Sequence, residues 1–321
     1  MKKMRIIGLL AVLLMVLGLF SNSVLAQSER KIINFNAGCL PGPFAQLGVG
    51  ISRIVHANLL DVEMNMIPNI SSFVNAKAIS REDGGFGLIQ SDIAYYALTG
   101  LKPLFEKPIP NIRGIASLYP ETLHLLARKD AKINSVSDLR GKRVAIVAVG
   151  PPKSGPEQNA REVLEAYGMK FEDLGKVEWL TMTEGINFLK GNKVDAFFLM
   201  ALMGSLPLPP DTVIVPIDDA HVDALVKKHS HYARGRIPAG VYKGIDAEIS
   251  TISVWMIFAV KEELPADMVY RITKALFENT AVMSAAHGLG RQVKLETALG
   301  GMSVPLHPGA EKFYREKGVI K

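Results

Sequence analysis

The sequence predicts an α/β protein of two similar lobes with a ligand cleft between them. Its 321 residues are 48% hydrophobic, which supplies apolar material for two domains at roughly 150 residues each. Strand-like apolar runs alternate with helical patterns along the chain, as in sheets built largely from parallel strands. One local plan, a strand followed by a Gly/Pro loop and a helix, occurs once in each half.

The N-terminal 26 residues have the pattern of a secretory signal peptide. Lys2, Lys3 and Arg5 precede an apolar run over residues 6–20, and small residues lead up to Ala26. A basic, an apolar and a cleavable region in this order are typical of an exported protein. The apolar run is shorter than the roughly 20 residues that span a bilayer. We therefore expect cleavage after Ala26 and a mature chain that does not span the membrane.

The repeated arrangement of strand, loop and helix gives the positions of the two loops that we expect to bind the ligand. In the first half the strand, loop and helix fall at residues 32–36, 38–43 and 44–59. In the second half they fall at residues 143–149, 150–156 and 159–167. A further buried strand follows in each half, at 86–89 and 194–199. Glycines in both loops let the backbone come close to a small ligand.

Two extended apolar segments, 123–127 and 252–260, bracket the second half, and we expect them to be the crossovers between the lobes. A long amphipathic helix at 266–286 and a short one at 308–317 complete the chain. The predicted division is a signal peptide at 1–26, lobe I at 27–125 plus 253–321, and lobe II at 126–252. Loops at the carboxyl ends of parallel strands then line the cleft, which is where open α/β sheets bind ligands.

Composition and charge exclude several classes of protein. The formal net charge is +6, but three of the basic residues lie in the leader and the others are scattered among acidic residues. Because no Lys/Arg run is present, we expect no nucleic-acid partner and only a mild bias towards anionic ligands. The single cysteine, Cys39, excludes an internal disulfide and a Cys-rich metal site.

The sequence holds no motif for catalysis or metal binding. Cys39 has no local signature of a nucleophile, and a lone cysteine usually behaves as a small apolar residue. On a helix continuing from residue 220, His229 and His231 would point about 200° apart, so we expect these two and His221 to be solvated. Segment 150–156 lacks the order of a phosphate loop, and GxGxxG, HExxH and GxSxG are absent. We therefore predict no enzyme, no catalytic residue, no metal and no cofactor.

Residues 68–100 are the most informative part of the chain for function. Short polar side chains follow the apolar strand ends there, namely Ser71, Ser72, Asn75, Gln90, Ser91 and Asp92. Such groups orient a small polar ligand. Ser72 and Asp92 are equally suited to cap the helices that follow them, and capping is compatible with ligand binding at a helix N-terminus.

Five short motifs follow one another along the mature chain. G-x-x-x-G-x-[YF]-x-x-L-G occurs as Gly38, Gly42, Phe44, Leu47 and Gly48. S-x-x-N and the later Q-S-D-x-A occur as Ser72, Asn75, Gln90, Ser91, Asp92 and Ala94. Three more motifs lie at 138–144, 160–168 and 305–310. In these motifs and their order the chain resembles, over essentially its whole mature length, the substrate-binding proteins of tripartite ATP-independent periplasmic (TRAP) transporters, in their TAXI branch.

The resemblance implies a type II periplasmic-binding-protein-like fold that closes by hinge motion on a small anionic solute. Dicarboxylates, 2-oxo acids and glutamate-like amino acids are the solute classes it suggests, with TRAP membrane permease subunits as partners and the periplasm as location. The ligand-binding residues indicated are Gly38, Cys39, Gly42, Phe44, Ser72, Asn75, Gln90, Ser91, Asp92, Lys153, Ser154, Gly155 and Phe198, with Phe44 and Phe198 as apolar walls.

The second-lobe loop departs from the family order G-S-G-T, because Lys153 stands for the first glycine and Pro156 for the threonine. Lys153 is either a charged contact to an anionic ligand or a solvated loop lysine. Two other roles for the same fold stay open. One is a periplasmic sensor subunit that presents its closed form to a signalling receptor. The other is an enzyme with Cys39 as nucleophile.

Overall fold

The computed structural model describes residues 30–38, 42–69, 71–102, 104–148 and 155–321. The strands are β1 Lys31–Gly38, β2 Val62–Asn69, β3 Phe86–Gln90, β4 Ile112–Arg128, β5 Arg143–Val147, β6 Lys176–Leu180, β7 Ala196–Ala201, β8 Thr212–Ile214, β9 Ala233–Ile237 and β10 Ile249–Lys261. The helices are α1 Pro43–Asn58, α2 Ser72–Ile79, α3 Ser91–Thr99, α4 Gly155–Ala166, α5 Met182–Lys190, α6 Asp219–Lys228, α7 Ala266–Glu278, α8 Thr280–Ala286 and α9 Pro308–Glu316.

The strands form one mixed sheet in the order β2-β1-β3-β10-β4-β7-β5-β6, with β8 beside β4 and β9 beside β10. At each end the strands are parallel, β1 with β2 and β3, and β5 with β6 and β7. Parallel neighbours need crossover connections, and α1, α2, α4 and α5 supply them. The α/β class predicted from the alternation of strands and helices is confirmed.

Two long antiparallel strands, β4 and β10, join the two ends of the sheet. They pair from Ser253 opposite Thr122 to Lys261 opposite Ile112. The predicted extended segments 123–127 and 252–260 lie within them. β10 pairs with β3 of one parallel group, and β4 pairs with β7 of the other. The antiparallel pair of β4 and β10 therefore connects the two groups.

The buried apolar side chains of the described residues form four clusters. Two of them draw on residues up to Tyr119 and from Met256 onwards. The other two draw on residues between Leu123 and Val254. Along β4 and β10 the buried residues pass from the first two clusters to the other two, close to the proposed division at residues 125 and 252. We use the names lobe I and lobe II for the two ranges proposed from the sequence.

The prediction of a single helix at 266–286 is wrong in one respect. Two helices occupy this range, because the chain leaves the helical conformation at Asn279. That residue has φ −127° and ψ 33° and separates α7 from α8. Its Nδ2 donates to the carbonyl oxygen of Ala275 at 2.8 Å. Asparagine side chains compete in this way with the helical backbone bonds, which accounts for the break.

Candidate functional site

A cavity of about 260 Å³ lies between residues of the two lobes. Its lining residues from lobe I are Phe44, Ser71, Ser72, Phe73, Gln90, Ile93 and Glu121. Those from lobe II are Val147, Gly155, Pro156 and Met200. We call this cavity the cleft pocket. It lies where β3, β5 and β7 end at their carboxyl sides, the usual place for a ligand in an open α/β sheet.

A larger groove of about 660 Å³ runs along the outside of α4, past Arg161 and Phe171. All the residues that line it come from the single segment 161–172. Because it lies within one lobe, closure of the lobes would leave it unchanged. The cleft pocket, with a wall from each lobe, is therefore the better candidate for a binding site.

Three helices begin at the cleft pocket. Ser72 and Phe73 open α2, Ile93 lies in the first turn of α3, and Gly155 opens α4. The first N–H groups of a helix lack intrahelical partners, and its dipole is positive at this end. Three such ends favour negative charge on a bound molecule.

The hydroxyl groups of Ser71 and Ser72 have different roles. Ser71 is the N-cap of α2, and its Oγ accepts from the N–H of Val74 at 3.4 Å. Ser72 Oγ accepts from the N–H of Gln90 at 3.1 Å and thereby ties the start of α2 to the end of β3. The helix-capping role considered for Ser72 thus belongs to Ser71.

Among the described residues that line the cleft pocket, Glu121 is the one with an acidic or basic side chain. The Nε2 of Gln90 donates to its Oε2 at 2.5 Å. Burial raises the pKa of the Glu121 carboxyl to about 7, and the bond from Gln90 offsets only part of this effect. Near neutral pH the carboxyl therefore changes readily between a neutral hydrogen-bond donor and an anion.

Sequence reasoning missed Glu121, although a signal was present. It is the only Asp, Glu, Lys or Arg between Arg113 and Arg128, in a strand whose other residues are mostly apolar. A buried charged residue is rare unless it is paired or functional.

The cleft pocket brings together four of the predicted site residues, Phe44, Ser72, Gln90 and Gly155. Phe44 packs edge-on against Tyr119, with ring centroids 6.4 Å apart. Gly38 makes room for it, because a Cβ at position 38 would lie 2.4 Å from the Cβ of Phe44. Gly42 is the N-cap of α1. These two glycines therefore shape the wall behind Phe44.

Three of the predicted polar residues make hydrogen bonds within the protein. Asn75 is fully buried, and its Nδ2 donates to the carbonyl oxygen of Leu88 at 2.7 Å, while its Oδ1 has no partner among the described residues. Ser91 Oγ donates to the carbonyl oxygen of His231 at 2.8 Å and accepts from the N–H of Trp255 at 2.9 Å. Asp92 is 1% exposed and accepts from Asn159 Nδ2 at 3.0 Å, and burial raises the pKa of Asp92.

Phe198 does not line the cleft pocket. It is 1% exposed and packs in the core of lobe II. Met200 lies two residues further along β7 and therefore on the same face as Phe198. It is nearer the carboxyl end of the strand and lines the cavity in the place expected for an apolar wall. Cys39, Lys153 and Ser154, together with the leader at 1–26, lie outside the described residues.

The expectation of solvated histidines is wrong for His229 and His231. Helix α6 ends at Lys228, and His229 has extended φ and ψ of −125° and 104°. The two rings are therefore free to approach each other, with centroids 5.3 Å apart, and His231 is fully buried. His221 lies further back on α6, stacks on Tyr167 and pairs with Asp218.

The fold and the cleft pocket define a class of protein, the two-lobed α/β proteins that bind a small solute between their lobes. The chain matches the model of the NMT1-like family over residues 36–318 and belongs to that family of periplasmic solute-binding proteins. None of the helices in the described part of the chain has the length and apolarity of a membrane span.

Solved structures share this fold at low sequence identity. PhnD1 from Prochlorococcus marinus, in complex with methylphosphonate, is 12% identical with a TM-score of 0.53, over 90% of this chain and 99% of that one. A TctC solute binding protein from Polaromonas is 14% identical with a TM-score of 0.51, over 90% and 96%. XAC2383 from Xanthomonas citri, bound to ATP, is 12% identical with a TM-score of 0.50, over 90% and 96%.

Proposed function

We propose that this protein is exported to the periplasm, captures a small anionic solute in the cleft pocket by hinge closure, and delivers it to the membrane subunits of a TRAP transporter. The solute classes are dicarboxylates, 2-oxo acids and glutamate-like amino acids. TRAP delivery and the TAXI branch rest on the ordered motifs that the chain shares with that branch. The role is binding without turnover.

The observation that carries the proposal is the composition of the cleft pocket. One wall from each lobe encloses the cavity, and three helix N-termini begin at it. Ser72, Gln90 and Glu121 supply polar groups from lobe I, while Phe44 and Met200 supply apolar surface. A solute that touches both walls stabilises the closed form in proportion to the contacts made only on closure.

Glu121 distinguishes between the candidate solutes. In its neutral form the carboxyl donates a hydrogen bond to an anionic oxygen, as a dicarboxylate or 2-oxo acid requires. In its ionised form it pairs with an ammonium group, as an amino acid requires. The pH at which binding is strongest therefore reports which chemical class the pocket takes.

A thermal-shift panel on the exported chain, unfolded and refolded to strip any carried ligand, tests the proposal. A ligand at 100 times its Kd adds about 2.7 kcal/mol to the free energy of unfolding. For a protein of this size that corresponds to a rise of several degrees, at roughly 2 to 4 °C per kcal/mol. We expect a shift with at least one dicarboxylate, 2-oxo acid or acidic amino acid. A panel without any shift, or shifts with neutral and cationic solutes alone, would contradict the anionic assignment.

A further inference from the structure

Two histidines and a glutamate converge behind the cleft pocket, where α3 of lobe I contacts lobe II. Glu162 lies on α4, and His229 and His231 follow α6. One potential ligand atom from each residue lies within 4.8 Å of the other two. His231 Nε2 is 3.2 Å from Glu162 Oε2, and His229 Nδ1 is 3.8 Å from Glu162 Oε1. We call these three residues the His-Glu cluster.

The spacing suits a tetrahedral metal ion. Zinc binds imidazole nitrogen and carboxylate oxygen at about 2.0 to 2.2 Å, so two of its ligands lie roughly 3.3 to 3.5 Å apart. The two distances from the histidines to the carboxylate oxygens, 3.2 and 3.8 Å, lie just below and above this range, and the ligand atoms of the two histidines lie within 4.8 Å of each other. Two imidazoles and one carboxylate are also a donor set that zinc uses in proteins.

Hydrogen bonding does not account for the position of His229. Its side chain is only 14% exposed, and 3.8 Å is too long for a hydrogen bond to Glu162. Its other ring nitrogen, Nε2, is buried and lacks a partner among the described residues. A buried polar atom without a partner costs free energy. Neither ring nitrogen of His229 therefore has a hydrogen bond among the described residues. An ion held between Nδ1 and the carboxylate would bond one of the two, and Nε2 would carry the proton of the neutral ring.

The surroundings of the cluster are polar and come from both lobes. The hydroxyl of Tyr96, on α3, is 3.1 Å from both carboxylate oxygens of Glu162 and 3.2 Å from His231 Nε2. Tyr232 donates to Glu162 Oε2 at 2.6 Å. The cluster therefore contacts a tyrosine of lobe I, while its own three residues belong to lobe II.

We propose that Glu162, His229 and His231 bind one divalent transition-metal ion of the zinc class at the contact between the lobes. The sequence argument against a shared ion assumed that the helix continues through residue 231. The helix ends at Lys228 instead, and this removes the objection. The ion would fasten the segment 229–231 to α4 next to Tyr96.

The test measures cobalt and zinc binding to the untagged exported chain after treatment with a chelator. Cobalt gives absorption bands whose intensity distinguishes tetrahedral from octahedral sites, and elemental analysis gives the stoichiometry of zinc. We expect one equivalent of either metal and a tetrahedral cobalt spectrum. His229→Ala and His231→Ala should each weaken binding at least about 100-fold, since loss of an outer-shell partner alone costs roughly 10- to 100-fold.

His221→Ala is the matched control, because His221 lies on α6 but pairs with Asp218 away from the cluster. It should bind metal as the unaltered chain does. Circular dichroism of each variant establishes that it is folded, and His229→Ala, at the more exposed ring, is the less disruptive of the two. The proposal is overturned if the folded unaltered chain binds neither metal at micromolar concentration. It is equally overturned if a folded His229→Ala or His231→Ala variant keeps the metal with unchanged affinity.

Discussion

At the scale of single residues, the side chain that decides the chemistry of the cleft pocket is Glu121. Its side chain is buried, and its carboxylate accepts a hydrogen bond from Gln90. Burial raises its pKa to about 7 from an ordinary value near 4.5. The folded protein therefore retains a proton on Glu121 at pH values where the unfolded chain has lost it.

This difference in pKa predicts how stability depends on pH. The favourable contribution of protonated Glu121 is fully present below about pH 4.5 and is lost as the pH rises towards 7. Over this window the loss amounts to about 3 kcal/mol of unfolding free energy. Urea denaturation at pH 5 and pH 8 should show the loss in the unaltered chain and a smaller one in Glu121→Gln. Glu82→Gln, at an exposed position, is the control, and an equal pH dependence in all three proteins would contradict the assignment.

The same residue predicts a pH dependence of binding. If the solute is a dicarboxylate or 2-oxo acid, its affinity should fall above about pH 7, because Glu121 then becomes an anion facing an anion. For an amino acid the affinity should rise instead. Isothermal titration across pH 6 to 8 measures the change, and Glu121→Gln should abolish it. A change of the same size in the variant would show that another group is responsible.

At the scale of elements, the sequence pattern was sufficient wherever local periodicity decides the structure. The predicted strand at 32–36 is β1 and the predicted helix at 308–317 is α9, each shifted by no more than two residues at either end. Local periodicity does not reveal the His-Glu cluster, and it shows Glu121 only as a lone charge within a strand, without its partner. Their partners are distant in the chain, as Gln90 and Glu121 or Glu162 and His231 show, and side-chain orientation at the end of α6 depends on where the helix stops.

The N-cap of α2 gives a prediction for this element. Ser71→Ala removes the acceptor for the N–H of Val74 and should lower the free energy of unfolding by about 1 kcal/mol. Ser80→Ala is the matched control, because its hydroxyl donates to the carbonyl oxygen of Lys77 at the exposed other end of the same helix. Urea denaturation of the two variants compares them directly. Equal losses of unfolding free energy in the two variants would show that the Ser71 cap does not support α2, which forms part of the pocket wall.

At the scale of the whole molecule, β4 and β10 are the strands through which one lobe can move against the other. The hydroxyls of Thr122 and Ser253 lie 3.2 Å apart where these strands pass between the cores. A solute bound to both walls of the cleft pocket should therefore reduce the radius of gyration, because it favours the closed arrangement. Small-angle X-ray scattering with and without a solute that gives a thermal shift measures this. An unchanged radius at saturation would argue against hinge closure.

The central claim is that the solute binds between the lobes, and a crystal structure with the best solute from the panel tests it most directly. We predict density in the cleft pocket, with polar atoms of the solute within hydrogen-bond distance of Ser72, Gln90 or Glu121 and with Met200 or the start of α4 on the other side. A solute bound in the groove along residues 161–172, or a cleft pocket that stays free of it at saturating concentration, would contradict the account.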